Sequence, residues 1–212
     1  MTKELVTSLF LYLVIACLGC GSVLATDAAL DCGSLSNAYG PYDYTNHDDY
    51  TNKLPIVEQY HFDSAVESLS AGKTDFAVMG DLDYTLRAFP NHHRALSAMA
   101  NYRLQNPNVI DKYYSAECYF QRAIRFRPTD NEVKTIYAVY LHRSKNYRLA
   151  EEYYQKVLDV SPDSSEVHYN LGLLYYSMQK YDLAVQHARQ AYALDYPLQG
   201  LKNLLVKKGV WN

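Results

Sequence analysis

The chain is 212 residues long, 49% apolar and 20% charged, with a net charge of -3. That length suffices for one domain with a continuous core, and the absence of a basic stripe interleaved with aromatics argues against a nucleic-acid surface. Tyrosine is the outlier, at 22 residues.

Residues 1–25 read as an export signal, since Lys3 precedes an apolar run from Leu5 to Leu18 and small residues follow in Gly19-Cys20-Gly21-Ser22. The run is short for a membrane span and suits a secretory signal. Two processing routes fit it. Val23-Leu24-Ala25 offers a small-residue cleavage site that would leave Thr26 as the new N-terminus. Val14-Ile15-Ala16-Cys17 has the form of a lipobox, in which case Cys17 would be acylated and membrane-held; Cys20 is the poorer acceptor. Contact with a membrane is expected only through this signal or anchor.

Residues 26–62 form an irregular, tyrosine-rich extension. Between Asp31 and Tyr50 there is no helical period, turn formers are frequent and Gly40-Pro41 marks a turn. Disordered linkers are poor in aromatics, so the segment is expected to pack, as an extended strap across the first helical units.

Helical patterning starts after it. Residues 63–92 make a degenerate unit, whose first helix is shortened by Gly72 and Gly80 and whose second ends at Phe89-Pro90, with Asp81 and Asp83 as first-turn acids. A unit at 93–130 opens at His93, carries an enlarged turn at Gln105-Asn106-Pro107-Asn108, and closes with Ala116-x3-Phe120-x2-Ala123-x4-Pro128. The same spacing returns in the unit at 131–164 as Ala150-x3-Tyr154-x2-Val157-x4-Pro162, and the unit at 165–198 repeats it from Ala184. The period of about 34 residues is that of a helix-turn-helix that stacks on its own copies. In the span 199–212, Leu201, Leu204, Leu205 and Val206 at helical spacing indicate a capping helix, with Lys202, Lys207 and Lys208 on its wet side.

Asn170-Leu171-Gly172-x2-Tyr175 followed by Ala184 and Ala191 resembles the tetratricopeptide repeat. Lys134 and His168 depart from the tryptophan that the pattern prefers, Ala188 from an aromatic, and Pro197 falls one residue late. The resemblance implies an all-α fold, a right-handed superhelical stack of antiparallel helix pairs. The block from Gly80 to Leu96, with Cys118 to Pro128, is further similar to a group of exported bacterial proteins with these repeats, which implies a compartment and a fold but no activity.

Such a stack is a binding scaffold, and the first helix of each unit lines its concave face. Offsets of three and four residues place Arg94, Ser97, Asn101 and Leu104 there, then Glu132, Thr135, Val139 and His142, then Glu166, Tyr169, Leu173 and Tyr176. Some tetratricopeptide domains clamp a peptide carboxylate with lysine, arginine and asparagine; Arg94 and Asn101 suit that mode, whereas Thr135 and Val139 do not. A protein or peptide held through aromatic and aliphatic contacts fits the set better.

Cleavage after Ala25 would leave Cys32 and Cys118, an even pair that in an oxidising compartment would form a disulfide worth about 4 kcal/mol on the chain-entropy argument. The alternative is a buried free thiol at Cys118. His47, Asp48, Asp49, His61, His92 and His93 match no metal-ligand spacing, and no phosphate loop, nucleophile elbow or Cys/His signature occurs. No metal, cofactor or catalytic residue is expected. The sequence therefore reads as a noncatalytic adaptor of a Gram-negative cell envelope, periplasmic or envelope-associated. The alternatives are an outer-membrane lipoprotein assisting pilus or secretion-complex assembly, and an accessory subunit of an envelope enzyme.

Overall fold

A computed structural model describes residues 32–73, 77–109 and 112–211. The signal segment, its cleavage site and Cys17 lie outside them. The described residues are helical and irregular, with no strand among them. The helices in chain order are α1 (His47–Asn52), α2 (Leu54–His61), α3 (Ser64–Glu67), α4 (Val78–Ala88), α5 (His93–Gln105), α6 (Ala116–Phe126), α7 (Asn131–Arg143), α8 (Tyr147–Leu158), α9 (Ser165–Ser177), α10 (Tyr181–Ala193) and α11 (Gly200–Lys208). None is long and apolar enough to cross a membrane.

Each repeat boundary is written in local chemistry. Ser115, Asp130 and Ser164 accept the backbone N–H of Cys118, Val133 and Val167, capping α6, α7 and α9. His92 does the same for α5 through Nδ1, which accepts from Ala95 N–H at 3.2 Å. The turns inside the last two units are built alike. Lys145 and Gln179 take the left-handed conformation at φ 66° and 60°, and the next residue returns its N–H to a carbonyl of the first helix, Asn146 to Leu141 and Lys180 to Tyr175.

Pairs α5–α6, α7–α8 and α9–α10 stack in order, with α11 against α9 and α10. First helices also touch across units, α5 with α7, α7 with α9 and α9 with α11. That row is the inner one. Small residues allow the approach: Ala138, Ala150, Ala184 and Ala188 are fully buried, and a Cβ on Gly172 would fall 2.4 Å from Leu201 Cδ2. Tyr137, Tyr154, Phe120 and Leu171 fill the space between helices in one continuous core. The fold is thus an α-solenoid of antiparallel helix pairs.

In the degenerate unit α3 is a single turn, beside α4 and α5. At the C-terminal cap only Leu201 and Leu205 are buried, whereas Leu204 and Val206 face solvent. The capping helix buries the two of these residues, one turn apart, that face α9 and α10.

The extension is irregular only in part. Residues 32–46 lack regular structure, but His47–Asn52 and Leu54–His61 are helices, a correction to the fully irregular reading. Asn46 caps α1 by accepting from Asp48 and Asp49, and Pro55 sits in the first turn of α2, where its missing N–H costs nothing. Such short elements bury little, none of α1 and only Leu54 and Val57 of α2, and leave no sustained period to detect.

Candidate functional site

The strap is fastened to the repeats by side chains. Cys32 and Cys118 form a disulfide across 86 residues of chain. One turn later on α6, Arg122 is buried at 2% exposure, and its Nη1 donates to the carbonyls of Cys32 at 3.0 Å and Ser34 at 2.6 Å. Arg125 donates to Gly33 O. Further along, Arg87 Nη1 donates to Asn37 Oδ1 at 3.1 Å, and Tyr42 N–H to Ala88 O at 2.8 Å.

The turn at Asn91-His92-His93 is the second fastening. Asn91, fully buried, donates to Asp43 and to Asp130 and accepts from Tyr44 N–H. Asp130 caps α7 and also meets His93 Nε2 at 2.9 Å. These hydrogen bonds, with the His93 charge, outweigh burial and hold the Asp130 carboxyl below its ordinary range. Because Nδ1 of His92 accepts from Ala95, its Nε2 carries the proton and donates to Glu58 at 3.1 Å. Burial lowers the pKa of this imidazole, which favours the neutral form. The two adjacent histidines hence serve the fold, and no group of three or more potential metal ligands occurs among the described residues.

The inner row of first helices presents the residues expected to bind a partner, and they divide into four kinds. Arg94, Ser97 and Asn101 line a shallow depression of about 350 Å³ together with Glu132 and Ile136. Val139, Leu173 and Tyr176 lie half-buried along the same row, against the core. Thr135 and Tyr169 are not available. Thr135 is 5% exposed and returns its hydroxyl to Asn131 O, and Tyr169 is 7% exposed, with its ring against Tyr196 and its oxygen accepting from Leu201 N–H. Heptad-like offsets cannot foresee that α11 closes over the end of the row. Leu104 lines a separate cleft of about 640 Å³ under the enlarged turn, with Tyr140 and Ser144.

Several residues on this face are tied across units. Arg94 is bonded through Nε to Glu67 at 2.9 Å and through Nη1 to Glu58 at 3.3 Å, with Phe62 beneath its guanidinium. Arg143 donates to Asn101, and His142 Nε2 meets Ser177 Oγ at 2.9 Å. Arg94 is therefore no ready donor for a peptide carboxylate. The sequence carried the signal for this pairing in Glu58 and Glu67, but their distance along the chain hid it.

Residues 132–196 match the family model described as tetratricopeptide repeat. The match covers α7 to α10, where Gly172, the buried alanines and the duplicated turn recur at the repeat's spacing. No curated protein is similar to the chain.

Proposed function

We propose that the chain is a noncatalytic adaptor that holds a protein segment along the inner row of α5, α7 and α9. The observation that carries this reading is the alignment of three first helices side by side, leaving Ser97, Val139, Leu173 and Tyr176 partly open while the residues around them are locked. Repeats of this kind are protein-binding scaffolds, and the rigid row offers a pre-formed surface, which lowers the entropy lost on binding. Cross-linking through a photoreactive residue at Leu173 should capture a partner that is lost when Tyr176 is changed to Ala. Cross-links that persist unchanged would argue against the groove.

The protein acts in the envelope of a Gram-negative bacterium, in this reading. Support comes from the export signal at residues 1–25 and from the Cys32–Cys118 disulfide, a bond that persists in oxidising compartments. The lipobox at Val14-Ile15-Ala16-Cys17 supports a second form, a lipoprotein that assists assembly of an envelope complex. Labelled fatty acid would enter that form, and Cys17→Ala would abolish the label; soluble release after Ala25 would leave the protein unlabelled in both.

A further inference from the structure

The strap, α2 and α4 meet at a surface to which the inner row contributes no residue. Tyr39 from the strap, Ile56, Val57, Tyr60 and His61 from α2, and Tyr84 from α4 line a cavity of about 110 Å³. A second cavity, of about 340 Å³, shares His61 and Tyr84 with the first and adds Asp83, Arg87, Lys112 and Tyr113. Two adjoining hollows thus have the His61–Tyr84 pair as a common wall.

The walls are set in place from behind. His61 stacks on Tyr84 with ring centroids 3.7 Å apart, and its Nδ1 meets the fully buried Asp81 at 3.0 Å. The Arg87 guanidinium lies 5.7 Å from the Tyr84 ring centroid. Tyr39 meets Tyr42 edge-on at 5.0 Å, Tyr42 rests on the buried Phe89, and Asn37 donates to Tyr39 O at 2.8 Å. Tyr60 alone lacks such support. It is 57% exposed, with no ring or hydrogen-bond partner among the described residues, and stands one turn from Ile56, itself 49% exposed. An open ring with a polar tip beside a formed cavity is a contact surface ready for use.

The polar chemistry selects the occupant. The hydroxyls of Tyr39, Tyr60 and Tyr84 have no hydrogen-bond partner among the described residues, and no carboxylate lines the smaller cavity. In the larger one Asp83 is committed to Arg87 Nε at 2.9 Å and to the Tyr119 hydroxyl at 2.7 Å, while the exposed Lys112 has no ion pair among the described residues. Ring walls tipped with O–H donors suit a partner that is apolar and offers acceptors. A proline-rich segment has apolar rings, no N–H at its prolines and carbonyls left unbonded by its own helix. Its residues three apart fall along one edge, as two adjoining hollows require. A quaternary ammonium, another occupant of aromatic pockets, would meet Arg87 and Lys112 as like charges.

We propose that the two hollows dock a proline-rich segment of a partner protein, with an acidic residue of that segment against Lys112. The strap is then a wall of a binding site as well as a fastening. Because the walls are fixed before the segment arrives, little order is lost on docking. The site is separate from the inner row and stands or falls without it.

The test titrates the protein, by fluorescence anisotropy, with three labelled peptides. The first carries prolines three residues apart beside a glutamate, the second has those prolines replaced by alanine, and the third has the glutamate replaced by lysine. The first should bind at least about tenfold more tightly than the second. It should also exceed the third, by a margin that shrinks at high salt. Tyr60→Ala should leave thermal unfolding unchanged and cost at least about tenfold in affinity, and Tyr60→Phe, which removes only the hydroxyl, about two- to tenfold. Tyr176→Ala, on the inner row, should bind the first peptide as the parent does. Equal binding of the alanine peptide, undiminished binding by Tyr60→Ala, or no binding at all would overturn the site and leave the groove reading untouched. Loss of binding in Tyr176→Ala would put the peptide in the groove and overturn the site as well. Equal binding of the lysine peptide would overturn the acidic contact at Lys112.

Discussion

His168 and His187 face one another Nδ1 to Nδ1 at 3.0 Å. Nε2 of His168 donates to Pro162 O at 2.9 Å, so in the neutral pair its Nδ1 accepts the proton that His187 carries. Burial first, and then His168, lowers the pKa of His187 from 6.5 to about 4. Between those values the unfolded chain binds a proton that the folded one refuses, so stability is complete above about pH 6.5 and declines as pH falls toward 4. His92 and His142 shift in the same direction, both through burial. The melting temperature should fall across this window, and His187→Gln should remove a pH-linked loss that totals at most about 3 kcal/mol, less with solvent screening. A flat profile from pH 7 to 5 would contradict this account.

Arg122 holds the strap from a buried position, bonded to backbone carbonyls and to no carboxylate among the described residues. Replacing it by Ala would orphan the carbonyls of Cys32 and Ser34 and open a void beneath Tyr114, whose ring lies 5.1 Å from the guanidinium. The expected loss is on the order of 2–4 kcal/mol. Chymotrypsin should then cut near Tyr39 and Tyr42, which should resist cleavage in the parent protein; persisting resistance in the variant would mean that the arginine is not the clasp.

Gly40 has a φ of 100°, and a Cβ built on it would fall 2.5 Å from the backbone oxygen of Ala88. Neither partner can yield, because Ala88 O also accepts from Tyr42 N–H. Gly40→Ala should therefore cost about 2 kcal/mol or more and expose the same cleavage sites. Unchanged urea unfolding would show that the strap adds nothing to stability.

Lys145 and Gln179 are exposed non-glycine residues in left-handed turns. Lys145→Gly and Gln179→Gly should each stabilise by about 0.5–1 kcal/mol, since relief from the Cβ penalty exceeds the added freedom of the unfolded chain. The turns lie in different units, and the two gains should add in chemical denaturation.

Tyr169 and Tyr176 share a helix and differ in duty. Tyr169→Ala should lower stability by about 3 kcal/mol or more, because it removes a buried ring and the hydroxyl that receives Leu201 N–H. Tyr176→Ala should lower the melting temperature clearly less, because its ring is half-buried beside Tyr181, and should weaken partner capture. Equal thermal effects would erase the distinction.

The repeats were legible because each unit restates the same spacings, and Ala150, Tyr154, Gly172 and Ala184 all lie buried between the helices that their positions predict. The inner-row residues were legible as a register but not as an inventory. Exposure there depends on partners far along the chain: Glu58 and Glu67 occupy Arg94, Arg143 takes Asn101, and α11 covers Tyr169. The helices α1 and α2 escaped notice because six and eight residues hold too few turns to show a period. Asn91, His92 and His93 looked like a helix start, and their buried bonds to Asp43, Asp130 and Glu58 follow only once the strap is in place.

An array held by neighbour contacts alone unravels unit by unit. Here the disulfide closes a ring of chain from Cys32 to Cys118, and Asn91 laces that ring to the cap of α7. Under a pull from the C-terminal end, α11 would peel first and the helix pairs α9–α10 and α7–α8 would follow, each paying out its length. The extension would then halt, because a covalent knot withholds everything between the two cysteines from the tension. The protein would behave as a short elastic tether joined to a block that cannot lengthen.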